Sequence, residues 1–184
     1  MKVLAISGSL RRDSDNTNLL RSAAELAPAD AEIVLWDGLK DVPPFDEDDE
    51  ASALTAVERM RAAVAGADAV LFATPEYNSS IPGQLKNAID WLSRPKATAA
   101  LRNKPVAVVG ASMGAFGAVW AQADLRKVLA ASGARVIEGE VAVGHAHERF
   151  DEHGILEDGD LRKQLGDVVE SLVDAARQRI AIAA

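Results

Sequence analysis

The 184-residue chain contains no cysteine, so it has neither a disulfide framework nor a thiol nucleophile. Aromatic residues make up only 4% of it, and Tyr77 is the single tyrosine. No apolar run approaches the ~20 residues that a membrane span needs, and Met1 leads almost directly into a strand-like segment. Neither a membrane anchor nor a signal peptide is expected, and the setting reads as cytoplasmic. Basic residues are outnumbered, 20 Lys and Arg against 28 Asp and Glu, for a net charge of −8. That balance favours solubility and argues against an extended nucleic-acid surface. Any anionic ligand must therefore meet local positive groups. Hydrophobic residues reach 48%, enough for one well-buried core. No composition shift, internal repeat or low-complexity linker divides the chain, so residues 1–184 read as one domain.

The most informative stretch is Ala73 to Arg94, ATPEYNSSIPGQLKNAIDWLSR. Ala67 to Thr74 is an apolar run of strand length, and Pro75 pushes the residue before it towards extended geometry. Pro82 suits the first position of a helix, and Leu85, Ala88, Ile89 and Leu92 follow at helical spacing as a core-facing stripe. Between strand and helix lie Glu76, Tyr77, Asn78, Ser79 and Ser80: one anion, one ring and several hydrogen-bonding groups. They sit at the carboxyl end of a strand, where open parallel sheets bind ligands. A loop tyrosine there has little core to fill. Lys86, Asn87 and Asp90 lie off the apolar stripe and read as interface or solvated residues, and Trp91 as packing.

Taken in order, Lys2 to Ser7 is a first strand, followed by GSLRRDSDN and a helical pattern with Leu19, Leu20, Ala23, Ala24 and Ala27. Such a loop can aim free backbone N–H groups and the positive end of a helix dipole at a phosphate. Gly8 allows close approach, Ser9, Ser14, Asn16 and Thr17 add donors, and Arg11 and Arg12 add charge. Glu32 to Trp36 reads as a second strand. The acid-rich segment Asp41 to Glu50 lacks the spaced ligands and central glycine of a calcium loop and reads as solvated. Leu54, Val57, Met60 and Val64 mark a helix closed by Gly66, ahead of the third strand.

Pro105 to Gly110 is the fourth strand, opening into the glycine-rich loop 111–117. Gly110, Gly114 and Gly117 do not form the GxGxxG spacing of a dinucleotide fold, and close packing is an equally good reason for them. A helix then carries Ala121, Leu125, Val128 and Leu129 and ends at Ser132-Gly133. Arg135 to Ile137 and Glu140 to Val143 are candidates for the fifth strand and its continuation, and Leu161 to Ala176 forms a long amphipathic helix. His145, His147 and His153 fall outside the sheet pattern and read as a solvated loop, and no metal site is expected.

Strands alternating with helices predict an α/β fold with a parallel sheet covered on both faces, because each parallel connection needs a crossover. For five strands the flavodoxin-like order 2-1-3-4-5 follows. In it strands 1 and 3 flank the switch point, with strand 4 alongside, so loops 8–17, 75–82 and 111–117 become one pocket.

GSLRRDSDN and PEYNSSIPGQLKNAIDWLSRP resemble the NADPH-dependent FMN reductases, a flavodoxin-like, three-layer family that includes bacterial chromate and quinone reductases. Ser112-Met113-Gly114, the Ala121 to Arg126 helix and Phe150-Asp151 extend the resemblance over nearly the whole chain. The resemblance implies that Ser9, Arg11, Ser14 and Asn16 hold the FMN phosphate. It implies that Pro75, Glu76, Tyr77, Asn78 and Ser79 line the isoalloxazine, and that Ser112, Met113 and Gly114 close its other side. Glu76 could accept a bond from the flavin or pair across a dimer interface. The implied activity is transfer of hydride from NADPH or NADH through FMN to a small acceptor such as a quinone, free flavin or chromate. The cofactor carries the chemistry, so no catalytic side chain is named. A homodimer or homotetramer is implied too.

Two positions depart from the family pattern. Asp15 puts a carboxylate beside the phosphate loop, and Asp124 stands where some relatives carry histidine. The alternatives are a flavodoxin-type electron carrier, whose phosphate loop is normally rich in Thr and Gly without an arginine, and a flavin-binding regulatory protein without turnover.

Overall fold

In the computed structural model, which describes residues 1–183, the parallel strands are β1 (Lys2–Ser7), β2 (Glu32–Trp36), β3 (Ala69–Thr74), β4 (Pro105–Ala111), β5 (Arg135–Val136) and β6 (Ala142–Val143). They are joined by α1 (Asp15–Glu25), α2 (Thr55–Ala65), α3 (Gly83–Leu92) and α4 (Val119–Ala131), and α5 (Gly159–Ala183) closes the chain. The order β2-β1-β3-β4-β5 is the flavodoxin-like one, with β6 also pairing β4.

The three layers follow from alternation along buried strands. Val3 and Ala5 of β1, with Leu71 of β3 and Val109 of β4, face one cluster containing Leu19 and Leu20 of α1 and Leu165, Val169 and Leu172 of α5. Leu4, Ile6, Phe72 and Val108 face the other, with Met60 of α2, Leu85 and Ile89 of α3 and Leu125 of α4. Both faces are covered, so β3 and β4 are buried at every position.

Three element ends differ from the sequence reading. Ala67 still belongs to the turn closing α2, its N–H bonded to Val64 O, so β3 starts at Ala69. Pro82 caps α3 from outside, with ψ 138, and its carbonyl accepts the bond from Lys86 N–H. The fifth strand is interrupted: Arg135–Val136 pairs with Pro105 and Val106, and Ala142–Val143 pairs with Gly110 and Ala111. The gap has a cause in α4, where Arg126 Nη2 donates to Val108 O (3.0 Å) and Gly139 O (2.7 Å). A guanidinium takes a β4 carbonyl that a continuous strand would have used.

A short 3₁₀ turn, Gly38–Asp41, leads into the acid-rich segment, which forms a second one at Glu47–Asp49. Asn87 clamps it from α3: its Nδ2 donates to Pro43 O (2.8 Å), and its Oδ1 accepts from Phe45 N–H (2.7 Å). Trp91, 1% exposed, donates Nε1–H to the same Pro43 carbonyl and meets Phe45 edge-on. Asn87 is thus a half-buried structural clamp. No helix among the described residues is long and apolar enough to cross a membrane.

Candidate functional site

At the carboxyl ends of β1, β3 and β4 the loops converge on a cleft of about 460 Å³, within the range of roughly 300–1,000 Å³ usual for cofactor sites. Its first wall is the segment between β1 and α1. Ser14 is the N-cap of α1, its Oγ accepting from Thr17 N–H at 3.3 Å, so its hydroxyl proton remains free to donate. The N–H groups of Asp15 and Asn16, in the first turn, have no partner among the described residues. They face the cleft end of the helix, where the dipole favours an anion.

Asn16 lines this wall but is held elsewhere. Its amide makes a two-point pair with the backbone of Ala111, Nδ2 to O at 2.9 Å and N–H to Oδ1 at 3.0 Å. That pair pins the start of α1 to the end of β4. Arg11 reaches the cleft from the exposed loop and pairs with Asp15, Nη2 to Oδ2 at 3.2 Å. Ser9 Oγ accepts from Arg11 N–H at 3.4 Å.

Gly8 and Thr17 are not among the residues that line the cleft. A Cβ on Gly8 would fall 2.8 Å from Leu85 Cδ2 and 3.3 Å from Ala73 O, so the glycine allows close packing against α3. Thr17 donates its hydroxyl to Ser7 Oγ at 3.1 Å, on the far side of the loop.

The second wall is the segment after β3. Pro75, Glu76 and Tyr77 line the cleft. Tyr77 and Ser80 exchange backbone bonds of 3.0 and 3.1 Å around Asn78 (φ 52) and Ser79 (φ 61), a tight hairpin turn with both central residues left-handed. That geometry turns Asn78 and Ser79 to solvent at the tip, outside the cleft walls. Glu76 Oε2 accepts the N–H groups of Trp120 and Ala121, both at 3.1 Å, and so caps α4. Ser80 donates its hydroxyl to Asp124 Oδ2 at 2.8 Å, which gives Asp124 a defined place beside the hairpin.

The third wall is Ala111, the last residue of β4, with Ser112, Met113 and Gly114 beyond it. Gly114 borders open space: a Cβ there would come no nearer to a neighbour than 3.8 Å, from Ser112 Oγ. Gly117 has another role: at φ +57, a Cβ there would meet Ala142 C at 2.3 Å. The glycine-rich loop thus divides into a cleft-facing half and a half packed on β6. Buried Gln122 fixes the packed half, donating to Gly117 O and Val141 O at 3.1 Å. Exposed His145 donates its N–H to Gly114 O from behind. Among the described residues no group of three or more His, Asp or Glu side chains is placed to share a metal ion.

These walls define a class: a doubly wound flavodoxin-like domain with an open cleft at its switch point, bordered by the unpartnered amides that start α1. The chain belongs to the NADPH-dependent FMN reductase family, whose model matches residues 1–148. It is 42% identical to an NAD(P)H-dependent FMN reductase of Pseudomonas aeruginosa, over 94% of this chain and 93% of that protein. It is 36% identical to a 2-hydroxy-1,4-benzoquinone reductase of Burkholderia sp., over 97% and 98%. Among solved structures it is similar to FerB, a flavoenzyme NAD(P)H:(acceptor) oxidoreductase from Paracoccus denitrificans, with TM-score 0.84, 35% identity and coverage of 96% and 97%.

The residues present fit the family's cofactor. An FMN phosphate needs several donors and a positive charge, which the Asp15 and Asn16 amides, the Ser9 and Ser14 hydroxyls and Arg11 supply. A planar ring needs an open slot with an apolar or aromatic border, which Pro75, Tyr77 and Met113 supply.

Proposed function

We propose that this protein is an FMN-dependent NAD(P)H oxidoreductase whose physiological acceptor is a quinone, with free flavin and chromate as further acceptors. What supports the reading most is one juxtaposition: unpartnered amides at the start of α1, with Arg11, share a cleft with Tyr77, Met113 and Gly114. Ser9, Arg11, Ser14 and the backbone of Asn16 hold the phosphate. Pro75, Glu76 and Tyr77 border the ring, with Asn78 and Ser79 shaping the turn that presents Tyr77, and Ser112, Met113 and Gly114 close the opposite side. Bound FMN supplies hydride acceptance and release, so the protein's part is binding, orientation and screening from water. Glu76, held by two α4 amides, sets the spacing between the second and third walls.

The same reading makes the protein a cytoplasmic homodimer or homotetramer. Self-association is supported by an apolar rim beside the cleft, where Phe116 (63% exposed) and Trp120 (49%) stack edge-on at 5.1 Å. Sedimentation of the wild type against Trp120→Glu tests this, with a shift towards monomer expected.

The activity is tested by incubating the purified protein with FMN, desalting it and recording the visible spectrum, with the released cofactor identified by mass. A retained flavin spectrum that NADPH or NADH bleaches anaerobically, and a quinone restores, is the expected result. Absence of retained flavin, with no change in FMN fluorescence on mixing, overturns the reading.

A further inference from the structure

A second cleft, of about 500 Å³, opens on the other side of the segment between β1 and α1, over the carboxyl ends of β1 and β2. It shares Ser9 and Arg11 with the first cleft, so only that loop separates the two. In a chain of net charge −8 this cavity gathers three cations: Arg11, Arg21 and Lys40. Lys40 has no side-chain partner among the described residues, and Arg21 has one bond, Nη1 to Asn18 Oδ1 at 2.9 Å. Both keep donors for a ligand anion.

The rest of the lining is not that of a bare anion site. Trp36 lies so close over Gly38 that a Cβ there would meet its ring at 2.6 Å, so packing fixes the indole plane. Exposed Leu10 and Leu35 border it. Asp37, in the same lining at the end of β2, has no bonded partner among the described residues. A carboxylate at the end of the second strand of a doubly wound sheet is placed to accept a bond from a free ribose hydroxyl, which is the 3′-hydroxyl where the 2′ position is phosphorylated and met by the neighbouring cations. The turn carrying Asp37 and Lys40 is held in place by Gln84, whose Nε2 donates to Leu39 O and Val42 O at 2.8 Å. An aromatic plane, a hydroxyl acceptor and free cations in one cavity are the complement of a phosphorylated adenosine.

We propose that the second cleft binds the adenosine phosphate half of the pyridine nucleotide donor, leaving the nicotinamide half to reach the first cleft across Ser9 and Arg11. This rests on the reading of the protein as an NAD(P)H oxidoreductase. Arg21 and Lys40 hold the phosphate, Asp37 the ribose and Trp36 the purine. None of these four residues lines the FMN cleft.

The test uses the FMN-loaded protein and 2′,5′-ADP as probe, with binding read by calorimetry and kinetics read with a quinone acceptor. Expected are 2′,5′-ADP binding that NADPH displaces, and a loss of about tenfold or more in that affinity on Arg21→Ala with Lys40→Ala. The same pair of substitutions should raise KM for NADPH by a like factor, with FMN retention unchanged. KM for reduced nicotinamide mononucleotide, which lacks the adenosine half, should stay the same. Failure of 2′,5′-ADP to bind, or equal KM increases for NADPH and the mononucleotide, overturns the proposal. Binding of 2′,5′-ADP that NADPH does not displace overturns the donor assignment and identifies a free nucleotide as the occupant. Loss of flavin from the wild type is a separate result: it removes the oxidoreductase reading, while the calorimetric arm still judges the cleft.

Discussion

At the amino end of the sheet, Lys104 is 3% exposed and donates its ammonium to the carbonyls of Ala67 and, at 3.3 Å, Ala65, where α2 ends. At the carboxyl end, the first amides of α1 have no internal partner, and Arg11 stands in solvent with a single surface ion pair. Both ends carry a cation near a helix terminus, and the helix ends themselves are opposite in sign. Where the protein supplies the counter-group, burial follows and the end is structural. Where the first helix amides are left without a counter-group, the open donors are the basis of the proposed phosphate site. A perturbed ionisation is often read as a sign of function. Here the large perturbation belongs to Lys104, lowered to about 8 mainly by burial, on the side of the sheet away from both clefts.

The substitution that breaks this contrast most severely is Asn16→Ala, because Asn16 is the one residue of the open wall that is internally satisfied at both polar atoms. Its loss leaves the N–H and C=O of Ala111 unpaired in a buried place. Each such group costs about 1–3 kcal/mol, so urea unfolding should show a loss of about 2–6 kcal/mol. Flavin retention should fall as well, since α1 is no longer pinned to β4. A loss in affinity with unchanged stability would make Asn16 a direct ligand contact only.

Lys104 sharpens the comparison through pH. Its pKa in the folded chain lies below its ordinary value of 10.5, so the fold disfavours the charged form. Below about 8 that penalty is fully present. As pH rises from there towards 10.5, the unfolded chain holds more protons than the folded one, and stability increases. Chemical denaturation across that window, wild type against Lys104→Met, should show the wild type gaining on the variant by about 1–3 kcal/mol. Parallel pH profiles would return Lys104 to ordinary surface behaviour.

Arg11→Ala tests the open end directly. The exposed pair with Asp15 contributes little to folding, so stability should stay within about 0.5 kcal/mol. Loss of a charge-assisted phosphate contact should raise the FMN dissociation constant by about tenfold to a hundredfold, read by fluorescence quenching. Unchanged affinity would remove Arg11 from the phosphate site.

Much of this was legible in the amino-acid order alone. Apolar runs with period-2 and period-3.6 neighbours pointed to the sheet, its order and its helices, because a sheet buried on both faces imposes its pattern on every strand. The three loops were legible because each follows a strand's carboxyl end. The broken fifth strand was not, since its cause is Arg126 on α4, a residue whose reach no local pattern encodes. The outward turn of Asn78 and Ser79 depends on two left-handed residues that spacing alone does not reveal, and the packing roles of Gly8 and Gly117 depend on Leu85 and Ala142 far along the chain. The second cleft was missed because Arg21, Asp37 and Lys40 look like surface charges until α1 and the turn after β2 bring them together. The only signal was an acid and a base in WDGLK at the end of a strand.

The smallest effect, and the finest test of the open end, is Asp15→Asn. Asp15 occupies the first turn of α1, where a carboxylate suits the helix dipole, and it pairs with Arg11 at 3.2 Å. Without ligand, therefore, the site contains its own anion. An incoming phosphate must draw Arg11 from that carboxylate and then lie beside a like charge, so the residue that quiets the free site also weakens the bound one. Asparagine keeps the shape and removes the charge. FMN affinity should rise about two- to fivefold at low ionic strength, with the gain shrinking as salt screens the exposed groups, while helix stability falls by about 0.3–1 kcal/mol. A fall in FMN affinity instead would mean that Asp15 serves the bound state by orienting Arg11, and that the open end is more internally organised than its unpaired amides suggest.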